Sequence, residues 1–263
     1  MSAGKQMLQA LLPPLLWNIG QRALSRRADR FDYAPPHVVS KLAAEANEHY
    51  WTEFLARERD VFLGLRERVT SGEKLLPDHD ERLKYYVYGY VLALASREQP
   101  RVAVLDYGGN LGDYYWIGNA LVPGVALDYH VKELPAFAIA GQELTPEITW
   151  HTDDRCLDHS YDLVMFSSSM QYASLETIRR AAVAARRYLL LSDVPAVTGA
   201  SFFSTHRTLN VTTVQRHPNL AEILALIEPS GMKLIREFAM GPHPPVAKAP
   251  EQPVCVGWLF ERA

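Results

Sequence analysis

The amino-acid sequence predicts an α/β protein in which a Rossmann-like, doubly wound sheet of seven strands follows an N-terminal helical extension. An apolar run at residues 102–105 ends at Asp106 and opens directly into a glycine-rich turn, as a buried parallel strand does at a binding edge. From that turn onwards, strand-like and helix-like stretches alternate. Before it, residues 38–95 mix charged and apolar side chains at helical spacing, which predicts two or three helices.

We expect the seven strands at residues 102–105, 125–133, 148–151, 161–166, 188–192, 232–240 and 254–260. Helices are predicted between them at residues 113–121 and 174–187, and a loop rich in proline separates the last two strands. Residues 1–97 then form the extension, which caps the binding edge. Residues 98–263 form the main domain, and a chain of this length buries the core that such a domain needs.

Composition and charge narrow the class of partner. The 263 residues are 48% hydrophobic and carry a net charge of −3 with a pI near 6.3, so the basic footprint of a nucleic-acid-binding domain is missing and no nucleic acid is expected. Two cysteines, Cys156 and Cys255, are too few for a disulfide framework or a zinc cluster. They suit a reducing compartment, so we expect a cytoplasmic protein without a metal.

The amino terminus carries an apolar run at residues 7–19, which a Pro-Pro pair interrupts and three arginines follow. The run is too short for a membrane span, and its basic residues lie on the wrong side for a signal peptide. Two interpretations remain. The run is either an interfacial anchor that makes peripheral membrane contact or, as we favour, a helix packed on the main domain. Homodimer formation is left open.

The spacing of glycines in the turn at residues 108–112 distinguishes between two classes of cofactor-binding motif. A dinucleotide fingerprint needs glycine at relative positions 1, 3 and 6, but counting from Gly108 the third and sixth positions hold Asn110 and Asp113. No lysine of a phosphate-binding loop follows either. The remaining pattern is Asp-x-Gly-x-x-x-Gly, which runs from Asp106 to Gly112 and places a ligand at the carboxyl end of the first strand.

This pattern resembles the first motif of class I S-adenosylmethionine-dependent methyltransferases. Three further stretches strengthen the resemblance: Leu-Asp-Tyr-His-Val-x-Glu-x-Pro-Ala, Ser-Ser-Ser-x-Gln-Tyr and the terminal Gly-Trp-Leu-Phe-Glu-Arg. Together they are similar to a bacterial family assigned as methyltransferases, several of whose members belong to surface-polysaccharide or natural-product gene sets. The similarity covers residues 100–263 and extends loosely to the amino terminus.

The resemblance implies a sheet of the class I methyltransferase type, whose last two strands form an antiparallel pair. It implies S-adenosylmethionine as cofactor, S-adenosylhomocysteine as product, and methyl transfer to an oxygen or nitrogen of a small-molecule or sugar acceptor. The turn residues would then bind the cofactor, with Asp106 facing its positively charged methionine end; these residues are Asp106, Gly108, Gly109, Asn110 and Gly112. Asn110 departs from the usual glycine, and asparagine tolerates left-handed backbone better than other side chains.

Acidic residues at the next two strand tips are candidate cofactor ligands. Glu133 lies 21 residues past Gly112, where a carboxylate that binds a ribose diol is expected. Asp128 is the competitor, but it lies within the predicted strand. Asp153 or Asp154 would accept the adenine amino group, as the resemblance implies, unless both are solvated loop acids.

The serine run after the fourth predicted strand gives candidates on both sides of the site. We expect Ser167 to contact the cofactor and Ser168, Gln171 and Tyr172 to line the substrate side. The alternative is that one serine of the run caps the following helix, since serine is a favoured N-cap residue.

The catalytic demand is small, because the sulfonium already activates the methyl group and the protein must position the acceptor and remove one proton. Asp193 at the fifth strand tip and His206 in the following loop are candidate bases, together with Tyr172; His217 in the same loop is a further candidate. Arg207 would hold an anionic substrate. Two other functions stay open: a non-catalytic nucleoside-binding or scaffold domain, and a nicotinamide-dependent oxidoreductase.

Overall fold

The computed structural model describes residues 30–44, 48–72, 82–97, 99–208 and 211–263. The apolar run at residues 7–19 lies outside these ranges. The structure therefore describes neither the expected membrane anchor nor the expected packed helix. Within the described ranges, no helix is long and apolar enough to cross a membrane.

The described chain begins with strand β1 and three helices, in the order β1 (Arg30–Tyr33), α1 (Pro36–Ala44), α2 (Glu48–Thr70) and α3 (Arg82–Ser96). The main domain continues with β2 (Arg101–Tyr107), α4 (Asp113–Leu121), β3 (Ala126–Lys132), α5 (Pro135–Leu144), β4 (Thr149–His151), β5 (Tyr161–Ser167), α6 (Leu175–Ala184) and β6 (Ala185–Ala196). The last part contains β7 (Phe202–Thr208), β8 (Val211–His217), α7 (Leu220–Ile227), β9 (Met232–Pro242), β10 (Val246–Ala247) and β11 (Val254–Arg262).

The main sheet has seven strands in the order β4-β3-β2-β5-β6-β11-β9. Strands β2 to β6 pair in parallel, whereas β11 pairs antiparallel with both β6 and β9. The predicted doubly wound sheet of seven strands is therefore confirmed, including its antiparallel last pair. The strand order reverses between β2 and β5, and ligands of open α/β sheets bind at the carboxyl ends of the strands beside such a reversal.

Helices cover both faces of this sheet, which explains the continuous apolar runs in its central strands. Helices α3 and α4 pack on one face through Val91 and Ile117, and α6 and α7 pack on the other through Ile178 and Ile223. Each residue of β5 except Ser167 is buried. Burial on both sides fixes the register of the strands and holds their carboxyl ends at one edge.

A second sheet of four strands, in the order β10-β1-β7-β8, is absent from the sequence prediction. The prediction of a loop around His206 is wrong, since this residue lies in β7, and the extension contributes a strand as well as helices because β1 pairs with β7. The buried positions in this sheet include polar residues, among them Ser204, Gln215 and His217. Such residues hide the alternation of apolar and polar residues from which a strand is predicted.

Candidate functional site

A cavity of about 260 Å³ lies at the carboxyl edge of the main sheet, between the glycine turn and helices α2 and α3. The turn contributes Gly108, Gly109 and Asn110 to its wall, and helix α4 contributes Asp113 and Tyr114. Helix α2 contributes Glu58, and helix α3 contributes Lys84 and Tyr85. The extension therefore forms one wall of the cavity. Sequence reasoning missed Glu58 and Lys84 because they lie far from any motif.

The glycines of the turn are required by the protein's own packing. Gly108 and Gly112 have left-handed backbone, with φ of 77° and 88°. A Cβ atom at Gly108 would lie 2.5 Å from Cβ of Ser169, and one at Gly112 would collide with Ile148. Side chains at either position would therefore strain the turn and displace its neighbours.

Asn110 fits the turn in spite of its side chain. Its backbone is left-handed, with φ of 53°, and its Nδ2 donates a hydrogen bond of 2.8 Å to Oε2 of Glu58. Its backbone N–H points to Oε1 of Glu133 at 3.4 Å. The departure from glycine thus adds a contact between the turn and helix α2.

Asp106 lies beneath the turn and does not line the cavity, which differs from the expectation that it faces a ligand. Its side chain is completely buried, and its Oδ2 accepts a hydrogen bond of 3.0 Å from the hydroxyl of Tyr129. The pKa of Asp106 is raised to about 7, mainly by burial. The hydrogen bond from Tyr129 opposes this rise, and the nearby charges of Asp113 and Glu133 add to it. A Cβ atom at Gly109 would lie 2.6 Å from Oδ2 of Asp106, so the turn closes over this carboxyl group.

Glu133 directly follows β3 and contacts the turn at the backbone N–H of Asn110. Its Oε2 accepts a hydrogen bond of 2.5 Å from the backbone N–H of Leu134. Burial raises the pKa of Glu133, although the backbone hydrogen bonds from Leu134 and Asn110 oppose this. The competitor Asp128 is half-exposed and pairs with Arg101 at 3.4 Å, so it is directed away from the turn.

The two acids after β4 already have partners. Asp153 is exposed and accepts hydrogen bonds from the backbone and side chain of Arg155, and it thereby caps a short 3₁₀ turn. Asp154 accepts a hydrogen bond of 2.6 Å from the hydroxyl of Tyr107 and one of 3.1 Å from Thr177. Neither acid lines the cavity. Asp153 instead lines a wider depression of about 500 Å³, built from the single segment 150–159, which contains no residue of the glycine turn.

Lys84, Ser168 and Asp193 form a hydrogen-bonded cluster at the cavity wall. Nζ of Lys84 lies 3.0 Å from Oδ2 of Asp193 and 3.2 Å from Oγ of Ser168, which in turn donates a hydrogen bond of 2.5 Å to Asp193. Burial favours a higher pKa for Asp193, but the Lys84 charge and these hydrogen bonds outweigh it and lower the pKa. Asp193 is thus held as a carboxylate, which makes it a weaker proton acceptor than the sequence prediction assumed.

Backbone strain is concentrated at this edge of the sheet. Four non-glycine residues in the described ranges have left-handed backbone, and three of them are Asn110, Ser168 and Asp193, with φ of 53°, 55° and 56°. Such conformations cost about 1–3 kcal/mol each and cluster at functional sites. They are an independent indication that this edge is the functional site.

The serine run does not cap helix α6, because that helix is capped by Ser174, whose Oγ accepts from the backbone N–H of Thr177 at 3.0 Å. Ser167 lines the cavity and its Oγ lies 2.7 Å from the hydroxyl of Tyr114. Gln171 is buried and donates from Nε2 to the backbone oxygen of Ser168 at 3.0 Å, so it supports the cavity wall from behind.

Tyr172 and His206, both predicted as candidate bases, are in contact. The tyrosine hydroxyl lies 3.2 Å from Nδ1 of His206. The imidazole of His206 stacks on Phe31 of β1, with ring centroids 4.4 Å apart. Arg207 is exposed, and because successive side chains of a strand point to opposite faces, it does not share a face of β7 with His206.

His217 is not a loop residue, so its prediction as a base is corrected. It is completely buried in β8, and burial lowers its pKa to about 4. His243, which sequence reasoning missed because no motif surrounds it, packs edge to face on Phe31 at 4.8 Å. The Asp193 charge acts on His243, although burial dominates and lowers its pKa.

The sequence matches no protein-family model and no curated protein. Solved structures that match include a magnesium protoporphyrin IX methyltransferase from Synechocystis PCC 6803 with bound SAM, at 17% identity and a TM-score of 0.47, covering 75% of this chain and 90% of that one. An amino pentose methyltransferase from Micromonospora echinaspora, involved in calicheamicin biosynthesis, matches at 12% identity and a TM-score of 0.48, covering 73% and 99%. The CcbJ methyltransferase from Streptomyces caelestis matches at 13% and 0.48, covering 68% and 89%. At these identities and TM-scores, the neighbours carry no inference about the ligand or reaction of this chain.

Proposed function

We propose that this protein is an S-adenosylmethionine-dependent methyltransferase that acts on an oxygen or nitrogen of a small-molecule or sugar acceptor. The observation that carries the proposal is the charge pattern of the cavity beside the glycine turn. Glu58 and Asp113 present carboxyl groups there, and Lys84 presents an ammonium group. This pattern suits a ligand whose end carries two positive charges and one carboxylate, as the methionine end of S-adenosylmethionine does.

The same pattern disfavours a nicotinamide dinucleotide. A pyrophosphate needs backbone N–H donors and a helix N-terminus free of competing negative charge. Here Asp113 begins helix α4 directly after the turn, and Glu58 faces the turn from helix α2. Both carboxyl groups would repel a pyrophosphate at this place.

The residues divide into those that hold the cofactor and those that face the acceptor. In this proposal the cavity residues Glu58, Lys84 and Asp113 hold the methionine end, and Glu133 holds the ribose from the tip of β3. Asp153 or Asp154 is the proposed adenine ligand, and either acid would first release a partner described above. Asp106 supports the turn from below.

The bound cofactor supplies an activated methyl group. On the acceptor side, Ser168 and Gln171 hold the wall of the cavity, and Tyr172 orients His206. For a hydroxyl acceptor, the imidazole of His206 takes the proton that the acceptor loses. Asp193, already paired with Lys84, orients neighbouring groups rather than accepting this proton.

Isothermal titration with S-adenosylhomocysteine tests the proposal without knowledge of the acceptor. The full chain is compared with Glu58→Gln, Glu133→Gln and a control, Glu228→Gln, which alters an exposed residue outside the lining of the cavity. We expect binding that the first two substitutions weaken at least fivefold, or about 1 kcal/mol, and that the control leaves unchanged. Absence of binding, or a stronger effect of the control, would overturn the proposal.

A parallel titration with NAD tests the oxidoreductase alternative. That alternative predicts that the protein binds NAD more tightly than S-adenosylhomocysteine. The non-catalytic alternative predicts binding of S-adenosylhomocysteine without turnover. It is tested by incubating the protein with S-adenosylmethionine and pooled hydroxyl and amine acceptors and measuring the release of S-adenosylhomocysteine.

A further inference from the structure

Helix α3 carries a stripe of exposed side chains on the face that points away from the main sheet. The inner face of the helix is buried and consists of Val87, Tyr88, Val91, Leu92 and Ala95. The outer stripe is exposed and consists of Leu83, Tyr86, Tyr90, Ala93 and Arg97. Tyr86 is 58% exposed, and Leu83 and Tyr90 are 38% and 41% exposed. Both faces of this helix are largely apolar, and the described part of the chain buries only the inner one.

The spacing of the outer stripe is that of a helix which pairs with another helix. Its residues recur at intervals of three, four, three and four positions, which is the seven-residue repeat of paired helices. The solvent-facing stripe of a surface helix is normally polar or charged. Single apolar side chains on a surface need no explanation, whereas a contiguous row of them marks an interaction site. A second helix is therefore the kind of partner that this stripe fits.

A second copy of the same helix, laid antiparallel, complements the stripe. Keeping both stripes in contact places Leu83 opposite Ala93 of the second copy, and Tyr86 opposite Tyr90 of the second copy. Because the arrangement is twofold symmetric, each of these contacts occurs twice. A large side chain meets a small one at both ends of the contact, so the two surfaces interdigitate. The tyrosine pairs in the middle stack or meet edge to face, and their hydroxyl groups reach water at the rim.

The parallel arrangement of two copies fits less well. Each residue of the stripe then faces its own counterpart, so the guanidinium group of Arg97 lies against Arg97 of the second copy and the like charges repel. Ala93 also faces Ala93, which leaves a gap beside the tyrosine layers. In the antiparallel arrangement, Arg97 lies beyond the last of the facing layers. Charge and side-chain size therefore both favour the antiparallel arrangement.

The area of the stripe determines how tightly two copies associate. At about 200 Å² for a fully exposed tyrosine, Leu83, Tyr86 and Tyr90 offer roughly 250–300 Å² of exposed surface per copy. A stable interface buries about 800 Å² per partner. The stripe and its flanking residues therefore belong to the weak class of interface. We expect a dimer that forms at micromolar concentrations and dissociates on dilution.

We propose that helix α3 is a homodimer interface, on which a second copy of this chain docks antiparallel with Tyr86 of each copy against Tyr90 of the other. The proposal goes beyond methyl transfer and does not depend on it. It nevertheless bears on the cavity, because Lys84 and Tyr85 of the same helix line the cavity wall. The second copy holds this helix from its outer side, as the main sheet holds it from its inner side.

Sedimentation velocity of the full chain, at about 5–500 µM and without any ligand, tests the proposal. We expect the sedimentation coefficient to rise with concentration, from that of a monomer toward that of a dimer. Tyr86→Glu and Tyr90→Glu should each weaken association about tenfold or more, because each places two carboxylates against aromatic rings of the other copy. The matched control is Ile139→Glu, which introduces the same charge at a 65% exposed residue of helix α5 and should leave association unchanged.

A charge pair then tests the antiparallel register. Leu83→Lys and Ala93→Glu should each weaken the dimer, because each places a charge against an apolar side chain of the other copy. Combined in one chain, the two substitutions bring an ammonium group against a carboxylate twice and should restore association about tenfold relative to either alone. Within one helix the two positions lie about 15 Å apart, so they do not pair inside one copy. A double variant that associates no better than the single variants would overturn the proposal.

Two further outcomes would also overturn the proposal. One is a chain that stays monomeric over the whole concentration range, and the other is a dimer that Ile139→Glu weakens as much as Tyr86→Glu does. In the first case, co-sedimentation with vesicles of phosphatidylcholine and phosphatidylglycerol, if lost in Tyr86→Glu, would assign the stripe to a membrane surface instead. The substituted side chains are exposed, and unchanged circular dichroism of each variant confirms that the comparison is between folded proteins.

Discussion

Asn110 donates a hydrogen bond of 2.8 Å to Glu58, which joins the glycine turn of the main domain to helix α2 of the extension. The contact is long-range in sequence, since 52 residues separate the two side chains. It also explains how a non-glycine residue is accommodated at a left-handed position, where asparagine is tolerated better than most residues.

Substitutions of Asn110 should distinguish the effect of its strained backbone on stability from the effect of its hydrogen bond to Glu58. Asn110→Ala loses the hydrogen bond and keeps an unfavourable left-handed backbone, so we expect it to destabilise the fold by about 1–3 kcal/mol. Asn110→Gly loses the hydrogen bond but relieves the backbone, and should change stability by less than about 1 kcal/mol. Urea unfolding of the three proteins measures the difference. Equal stability of the alanine and glycine variants would show that the turn is unstrained.

The buried carboxyl group of Asp106 should make stability depend on pH. Its folded pKa of about 7 lies above the unfolded value, so the folded state binds the extra proton between these pKa values. Its contribution to stability is therefore present at low pH and is lost as pH rises through about 7, with a slope of at most about 1.4 kcal/mol per pH unit. Asp106→Asn removes this titration.

We expect the stability of Asp106→Asn, relative to the unsubstituted protein, to rise between pH 5 and pH 8 when both are unfolded in urea. Asp162→Asn, at a second buried acid of the main sheet, is the control. A pH-independent difference would mean that Asp106 does not titrate in this window.

Lys84 and Asp193 should be energetically coupled. Their side chains are 28% and 19% exposed, so solvent screens the pair only in part. Removing one partner leaves the other charge poorly compensated, and we expect Lys84→Met or Asp193→Asn to cost roughly 1–3 kcal/mol, with the double variant costing less than the sum. A double-mutant cycle in urea unfolding measures this, and strict additivity would contradict it.

The lowered pKa of Asp193 has the opposite consequence for pH dependence. Its stabilising effect is present above the unfolded pKa of an aspartate and is lost as pH falls through the lower folded pKa. Lys84→Met should shrink this acid-side loss, because the Lys84 charge is what lowers the pKa. Acid unfolding of the two proteins, followed by circular dichroism, compares them; an identical acid transition would exclude the Lys84 contribution.

Arg262, in the final strand, should be a major stabilising residue. Its guanidinium donates to the backbone oxygens of Ala182, Ala185 and Ser230. Hydrogen bonds from charged groups contribute about 1.5–3 kcal/mol, and Arg262→Met should lower the free energy of unfolding by about 2–4 kcal/mol. Arg262→Lys, which keeps the charge without the planar set of donors, should recover less than half. Exposed Arg155, replaced by Met, is the control.

The sequence predicted the main sheet because its central strands are buried on both sides. Continuous apolar runs such as residues 161–166 are visible locally, and the glycine turn is marked by residues that its own packing requires, such as Gly108 and Gly112. The carboxyl edge of the sheet, and with it the place of the candidate site, therefore follows from local pattern alone.

The ends of helices and strands are predicted less well where they depend on residues far away in the sequence. The alanine-rich helix was expected to continue to Arg187, but α6 ends at Ala184 and β6 begins at the next residue. No local signal marks this stop. The backbone oxygens at the end of the helix are instead satisfied by Arg262, which lies about 80 residues further along the chain.

By itself, the sequence determined the doubly wound sheet, its seven strands and the turn at its carboxyl edge, because burial and tight turns leave their mark in neighbouring residues. Only the tertiary structure decided which side chains meet there. Glu58 and Lys84 belong to helices of the extension. Gln215 and His243 lie in or beside a second sheet, which was not predicted because several of its buried residues are polar. Contacts between residues far apart in sequence depend on how the elements pack, and no local spacing records them.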